Sequence, residues 1–274
     1  SKQHHSGKPL SDGMPYIIDR ITDTTPNDTI FASVAEVCIN VFFKEQLNAK
    51  PNDRLPPWKE VQISYLKSLQ TADLRRRRQR YPRTNQMLLA YEVRPASGND
   101  VLEKPLILDL DQVHNLDQTS DGNHDADLVR GNLVGFVEIT QKPYGLGIVD
   151  ESETLRPILT NLAVAARARK SGIGSELLDQ CEQYVVREWD MNEIVLEVED
   201  YNTAALDFYK RRGYAVEFRN PASRRYDVSG LMLKKERCTR EIMRKKLNAR
   251  RAQIAGEGVM SFNLFQRIRE SVGV

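Results

Sequence analysis

A glycine-rich turn in the second half of the chain carries the residues best suited to hold a phosphate. The apolar segment Asn161–Val164 reads as a strand, and it leads into the turn Arg169–Gly174 (Arg-Lys-Ser-Gly-Ile-Gly). An amphipathic run to Trp189 follows directly and predicts a helix. Such a turn presents backbone N–H groups at the positive end of a helix dipole, where a pyrophosphate binds well. Its glycines let the backbone approach the phosphates, and Arg169 could add a charge-assisted contact.

The turn alone does not decide the function. Leu177 stands where the dinucleotide-binding pattern requires a third glycine, and the Gly-Lys-Ser/Thr end of a P-loop is absent. A strand-to-helix turn that needs glycine only for its shape explains the same residues.

The following fifty residues place further motifs in a fixed order after the turn. The alternating segment Glu193–Glu199 predicts a strand that contains Leu-Glu-Val. After it come Asn202–Ala205 (Asn-Thr-Ala-Ala), Phe208–Tyr209 and Gly213–Tyr214. This constellation, from roughly Leu159 to Phe218, resembles the GNAT family of N-acetyltransferases.

The resemblance implies a fold and an activity. The fold would be the acyl-CoA N-acyltransferase fold of the α/β (α+β) class, a mixed, mostly antiparallel central sheet flanked by helices in a single domain. The activity would be direct transfer of an acetyl group from acetyl-CoA to an amine in a ternary complex, with no metal.

Within the family, the chain is most similar to the plastid-targeted acetyltransferases of plants and algae. That resemblance implies action on protein lysines and free N-termini in the plastid stroma; without it, the cytosol is expected. No transit peptide is recognisable in the sequence. The similarity is carried by Leu159–Val164, Val185–Asp190, Arg224–Asp227, Ser229–Leu231 and Met243–Leu247.

The resemblance also assigns residues to the acetyl donor. Main-chain groups of Leu162 and Val164 would pair with the pantetheine arm, and an N–H of the same strand would stabilise the oxyanion. The pyrophosphate would rest on the N–H groups from Lys170 to Ser175. The expected donor-binding set is Leu162, Ala163, Val164, Arg169, Lys170, Ser171, Gly172, Ile173, Gly174, Ser175, Asn202, Ala205 and Tyr209.

Tyr209 is the expected general acid, since the family places a tyrosine here to protonate the sulfur of coenzyme A. The unperturbed pKa of a phenol, about 10, is close enough to about 8.5 for a thiol to allow that transfer. The alternative is a core aromatic. Phe208 and Tyr209 are adjacent and cannot share one helix face, so one can pack while the other lines a cleft. Asn202 is expected to cap the helix, to contact the donor, or both.

Two carboxylates are candidates for the general base. Glu197 lies twelve residues before Tyr209 and matches the glutamate of the bacterial ribosomal-protein alanine acetyltransferases. Glu138, on the preceding central strand, is the rival, and an ordered water could relay the proton to either. The structural alternative is that both side chains simply point outward along their strands.

A loop before the last strand is expected to border the acceptor groove, as it often does in this family. Arg224, Arg225 and Tyr226 fall in that loop and are therefore candidates for substrate contact.

Two other functions are open: acetylation of a small amine, and a catalytically silent subunit that binds acetyl-CoA.

Composition limits the class of protein. The 274 residues are 40% hydrophobic and 28% charged, which suits a globular domain with a sizeable core. Cys38, Cys181 and Cys238 are an odd number at wide spacing, so a disulfide framework is not expected. The formal net charge of +2 is too small for a uniformly basic nucleic-acid surface.

The basic residues are concentrated in two runs, Arg75–Arg80 and Lys234–Arg251. Solvated helix faces are the expected explanation of both. The alternative is contact of the 75–80 helix with an acidic protein or a membrane surface. Protein substrates are the expected partners, and a monomer is favoured.

Periodicity and breaker residues divide the chain into a mobile segment 1–14, the acetyltransferase domain 15–247 and a helical extension 248–274. An acidic insertion at 96–131 lacks the last glutamate of a calcium loop. Helices are predicted at Thr29–Leu47 (capped by Asp28), Trp58–Arg80, from Gly172 to Trp189, and at Thr203–Arg212. Strands are predicted at Tyr16–Ile21, Met87–Val93, Leu133–Ile139, Ile158–Val164, Glu193–Glu199, Tyr214–Phe218 and Glu241–Leu247.

Overall fold

The computed structural model describes residues 13–22, 27–44, 47, 54–95, 114, 128–146 and 154–248. The chain divides into two compact units. Unit 1 consists of segments within 1–138, 161–178 and 226–235, and unit 2 of segments within 139–160, 179–225 and 236–274. The predicted helix in 248–274 and nearly all of the acidic insertion 96–131 lie outside the described residues.

The described part of the chain contains seven strands and four α-helices. The strands are β1 (Tyr16–Arg20), β2 (Asn85–Pro95), β3 (Leu128–Pro143), β4 (Leu155–Val164), β5 (Glu193–Glu199), β6 (Ala215–Asp227) and β7 (Lys234–Lys246). The helices are α1 (Asn27–Ile39), α2 (Pro57–Arg80), α3 (Ile173–Arg187) and α4 (Thr203–Arg211). A π-helical turn, Asn40–Lys44, extends α1.

The seven strands form one mixed sheet in the order β1-β2-β3-β4-β5-β7-β6. In unit 1, β1 and β2 pair antiparallel. In unit 2, β5 pairs antiparallel with β7 and parallel with β4, where Ile158 is opposite Val195 and Leu159 is opposite Leu196. The predicted class, a mixed and mostly antiparallel sheet with helices, is therefore confirmed.

The core of unit 1 explains why its elements form. Phe31, Val34 and Cys38 recur at helical spacing on α1 and are buried against Leu74 of α2. Met87 and Leu89 of β2, Phe136 of β3 and Ala163 of β4 complete the cluster. In unit 2, Ile158, Val195 and Ile242 form a smaller core across three neighbouring strands.

Several predicted boundaries are wrong. Helix α1 begins at Asn27, so Asp28 lies inside the helix rather than capping it. Strands β6 and β7 are much longer than predicted, and β7 takes up the basic run from Lys234 that was assigned to a helix face. No side chain of β6 is buried, and those of β7 before Glu241 are exposed or half-buried, so no apolar alternation marks these stretches. Ion pairs between the strands, such as Arg219–Glu241 and Arg244–Glu217, join the charged side chains instead.

The described residues show two further features that bear on function. They contain no group of three or more His, Cys, Asp or Glu side chains that could hold a metal ion. None of the described helices combines the length and the apolar character needed to cross a membrane.

Gly135 of β3 lies where α3 packs on the sheet, so any side chain at this position should lower the stability of the fold. A Cβ at Gly135 would lie 2.9 Å from Cγ2 of Ile173 and 3.0 Å from Cβ of Ala90. Gly135→Ala should therefore lower the free energy of unfolding by about 1–3 kcal/mol through overpacking. Urea unfolding measures this. Gly230→Ala is the control, because its Cβ would meet nothing closer than 3.8 Å; equal stability of the two variants would contradict the packing.

Candidate active site

The strand that precedes the glycine turn is interrupted by one residue. Asn161, within β4, has φ 57°, in the left-handed region that few residues other than glycine adopt. Asn161 donates a hydrogen bond from Nδ2 to Oε2 of Glu138 at 3.2 Å. The regular extended backbone is thus broken directly before Leu162–Val164. Ala163 is buried in the core of unit 1, whereas Leu162 and Val164 are half-buried.

The glycine turn has two more left-handed residues. Lys170 has φ 66° and Gly172 has φ 83°, and α3 begins immediately afterwards at Ile173. Lys170 and Gly172 are exposed, as is Arg169. Two cations and a glycine therefore surround the N-terminus of a fifteen-residue helix, an arrangement that suits an anion.

Hydrogen bonds inside the turn show which of its backbone N–H groups already have an acceptor. The N–H groups of Ser175 and Glu176 both donate to the carbonyl of Gly172, at 2.9 and 3.0 Å. Ile173 and Gly174 open the helix, so their N–H groups have no carbonyl one turn earlier in the helix to bind. Of the predicted phosphate donors, the N–H of Ser175 is thus already used, whereas those of Ile173 and Gly174 have no helical partner. Binding of a pyrophosphate at this turn stays a prediction.

Two side chains of the turn are fixed within unit 1. The N–H of Met14 donates to Oγ of Ser171 at 3.2 Å, which ties the residues before β1 to the turn. Nε of Arg169 donates to the carbonyl of Val164 at 3.2 Å. The expected phosphate contact of Arg169 would come from the rest of its guanidinium group.

Unit 2 carries the expected general acid. Tyr209 lies in α4 and is only 7% exposed. Its ring packs edge-on against the rings of Phe208 and Tyr214, with centroid distances of 5.3 and 5.5 Å. Burial raises the pKa of the Tyr209 phenol, and the nearby Cys181 thiol raises it further. Of the adjacent pair, Tyr209 is therefore the more buried ring, and Phe208 is half-buried.

Asn202 caps α4, as predicted. Its side-chain oxygen accepts a hydrogen bond from the N–H of Ala205 at 3.2 Å. The contact of Asn202 and Ala205 with an acetyl donor stays a prediction.

Glu197, the first candidate for the general base, is held by two donors. The hydroxyl of Tyr144 donates to its Oε1 at 2.7 Å, and Nη1 of Arg240 donates to its Oε2 at 3.1 Å. Burial raises the pKa of Tyr144, and the hydrogen bond to Glu197 adds to the shift. The Glu197 side chain is 28% exposed, so solvent reaches it. Sequence reasoning missed both partners: Arg240 was hidden in a basic run, and Tyr144 follows β3 with no motif around it.

Glu138, the second candidate for the general base, is fully buried, with 0% exposure. The alternative that its side chain points outward from the strand is therefore wrong. Nδ2 of Asn85 donates to its Oε1 at 2.6 Å, and Nη1 of Arg77 lies 2.9 Å from its Oε2. With Asn161, three side chains thus hold one carboxylate. A general base must be within reach of the proton it removes, and this burial places Glu138 poorly for that role.

The candidate acceptor residues do not lie in a loop. Arg224, Arg225 and Tyr226 belong to β6. The guanidinium of Arg225 stacks over the ring of Tyr201 at 4.9 Å, and the carbonyl of Arg224 accepts from Nη2 of Arg240 at 3.2 Å. The loop was predicted because these charged residues show no apolar alternation, although backbone pairing with β7 keeps them extended. Their contact with substrate stays a prediction.

The arginine run of α2 is partly directed into the protein. Arg77 pairs with Glu138 and with Asp73 one turn earlier, and Nη1 of Arg78 donates to the carbonyl of Asn85 at 2.8 Å. The expectation of a wholly solvated helix face is therefore wrong for these two residues. Contact of this helix with an acidic protein or a membrane stays a prediction.

Part of the chain is similar to a known protein family. Residues 91–214 match the model of the acetyltransferase (GNAT) family. Over 80 residues the chain is 35% identical to a protein of Dictyostelium discoideum described as an N-terminal acetyltransferase complex ARD1 subunit homolog. That match covers 29% of this chain and 36% of that protein, so the chain spans about a third of the length of this relative.

Solved structures of acetyltransferases also resemble the chain. The PaiA N-acetyltransferase of Thermoplasma acidophilum, in complex with coenzyme A, is 16% identical with a TM-score of 0.46, covering 84% of this chain and 98% of that one. A GNAT acetyltransferase of Streptococcus pneumoniae is 14% identical with a TM-score of 0.44, covering 85% and 99%.

The cap of α4 generates a stability prediction. Asn202→Ala removes the acceptor for the Ala205 N–H and should lower the free energy of unfolding by about 1 kcal/mol. Asn202→Asp keeps an acceptor at the same position and should stay within a few tenths of a kcal/mol of the original protein. Denaturant unfolding of the three proteins decides between them. Equal loss in both variants would show that the cap does not stabilise α4.

Proposed function

We propose that this chain, whose residues 91–214 match the model of the acetyltransferase (GNAT) family, transfers the acetyl group of acetyl-CoA to amino groups of proteins. The observation that carries the proposal is the turn before α3. Left-handed backbone at Lys170 and Gly172, with exposed Arg169 and Lys170, gives the helix N-terminus the geometry and the charge that a diphosphate requires.

The chemistry needs a neutral amine and a proton for the leaving thiolate. The amine nitrogen attacks the thioester carbonyl, the carbon–sulfur bond breaks, and the amine loses one proton while the sulfur gains one. Glu197, directly or through a water, is the proposed acceptor of the amine proton. Tyr144 and Arg240 hold its two oxygens, so its direction is fixed before an amine arrives.

Tyr209 is the proposed donor of the proton to sulfur. A phenol is protonated at neutral pH, as an acid must be before the reaction. Burial raises the pKa of the Tyr209 phenol, so the transfer requires that the pKa of the thiol rises as well. Removal from water also raises the pKa of a thiol, so a thiolate released in a dry site takes a proton more readily than one in water.

Protein amines are the proposed acceptors because the Dictyostelium relative is described as an N-terminal acetyltransferase complex ARD1 subunit homolog. An α-amino group has an ordinary pKa of about 8 and a lysine about 10.4, so an N-terminus needs less help to lose its proton. We therefore place N-terminal amines first and lysine side chains second. Action in plastids, and as a monomer, stays a prediction.

The direct test is incubation of the protein with acetyl-CoA and three kinds of acceptor: peptides with free N-termini, peptides with N-terminal blocks and internal lysines, and small amines such as polyamines. Mass spectrometry should show acetyl groups on the first class fastest. Turnover restricted to small amines would replace the proposed substrate class. Tight binding of acetyl-CoA without any turnover would indicate a silent subunit.

Tyr209→Phe tests the proton donor. The variant keeps the ring that packs on Phe208 and Tyr214, so the fold and the affinity for acetyl-CoA should be preserved. Loss of the hydroxyl should lower kcat by about 100-fold or more. Tyr144→Phe is the matched control, because it also removes a phenol hydroxyl. This variant loses the hydrogen bond to Glu197, so we expect it to change the pH dependence of kcat. A Tyr209→Phe enzyme with full kcat would exclude this tyrosine as the acid.

Gly172→Asp and Gly172→Asn separate charge from backbone strain at the turn. Both add a side chain of the same size at φ 83°, but only aspartate brings a negative charge towards a diphosphate. Repulsion between two like charges a few ångströms apart costs about 1–3 kcal/mol near a protein surface. The Gly172→Asp protein should therefore bind acetyl-CoA about 10- to 100-fold more weakly than the Gly172→Asn protein. Calorimetry measures both affinities. The same affinity in the two variants would mean that no phosphate lies at this turn.

A further inference from the structure

A buried carboxylate connects three strands and a helix of unit 1. Glu138 of β3 accepts from Asn85 of β2 at 2.6 Å and from Asn161 of β4 at 3.2 Å, and it pairs with Arg77 of α2 at 2.9 Å. A charge with no exposure to solvent persists only when it is paired and hydrogen-bonded. The fixed partners of Glu138 supply that compensation, which makes the cluster a rigid point of the fold.

One of these partners has an unfavourable backbone conformation. At φ 57°, Asn161 occupies a region that costs a non-glycine residue about 1 kcal/mol or more. Asparagine tolerates this region better than most residues because its short side chain can hydrogen-bond nearby. Here the side chain of Asn161 donates a hydrogen bond to Glu138 of β3. The hydrogen bond therefore fixes Asn161 to a neighbouring strand.

The conformation of Asn161 sets the direction of the backbone that follows. Leu162–Val164 come directly after it, and the N–H of Ala165 then donates to the carbonyl of Val134 on β3 at 2.8 Å. The three residues are thus fixed at both ends, by the Glu138–Asn161 bond and by the Ala165–Val134 bond. Burial of Ala163 fixes which way Leu162 and Val164 face.

We propose that Glu138 is a positioning residue: through Asn161 it fixes the backbone of Leu162–Val164 in the conformation that binds the acetyl donor. The inference rests on the proposed function, because it assigns the donor to this strand. Arg77 compensates the buried charge of Glu138. Asp73 in turn orients Arg77, since its Oδ2 lies 3.1 Å from Nη2 of Arg77. Glu138 therefore acts through geometry and takes no proton from the substrate.

A double-mutant cycle between Glu138 and Asn161 tests this role. Glu138→Gln removes the charge at nearly constant volume, and Asn161→Gly removes the anchored side chain while allowing positive φ. Each should raise KM for acetyl-CoA by about 10-fold, because displaced backbone near a reacting group weakens productive binding. In the Asn161→Gly background, Glu138→Gln should add little further change. Asp19→Asn, which removes a half-buried carboxylate paired with Arg130, should leave KM unchanged.

The outcomes are distinguishable. An unchanged KM in Asn161→Gly, or changes that multiply in the double variant, would overturn the positioning role. If Glu138→Gln does not fold, Asn161→Gly alone decides, since it leaves the buried ion pair intact. Failure of the unmodified protein to bind acetyl-CoA would instead refute the proposed function, and calorimetry of that protein is performed first.

Discussion

The candidate donor site depends on backbone conformation more than on any single side chain. Asn161, Lys170 and Gly172 all have positive φ, and all lie between the middle of β4 and the start of α3. Glycine adopts this conformation freely. For Asn161 and Lys170 it costs conformational energy, and such strain persists only where the surrounding structure enforces it. As a result, the backbone after Asn161 is redirected, and the first N–H groups of α3 have no carbonyl one turn earlier in the helix to bind.

Arginine side chains hold both candidate base carboxylates, but with opposite consequences. Arg77 holds Glu138 inside unit 1 with no exposure to solvent, and Arg240 holds Glu197 in unit 2 where solvent still reaches it. The same pairing therefore accompanies full burial in one carboxylate and partial exposure in the other. Environment, rather than residue type or position along a strand, separates the two roles.

The sequence predicted most elements wherever burial produced a periodic pattern. Strand β5 and helix α2 were predicted to within a residue because apolar side chains mark them or a proline ends them. Strands β6 and β7 were predicted too short, because most of their length is charged and is joined by backbone pairing and cross-strand ion pairs. The partners of Glu197 and Glu138 were equally invisible, since Arg240, Tyr144, Arg77 and Asn161 are distant in sequence and share no motif.

A crystal structure with bound coenzyme A is the most direct test of the central claim, that the turn before α3 binds the donor's diphosphate. The account predicts phosphate oxygens within hydrogen-bonding distance of the N–H groups of Ile173 and Gly174, and the pantetheine arm along Leu162–Val164. Coenzyme A bound elsewhere, with the turn contacting only protein or water, would contradict it.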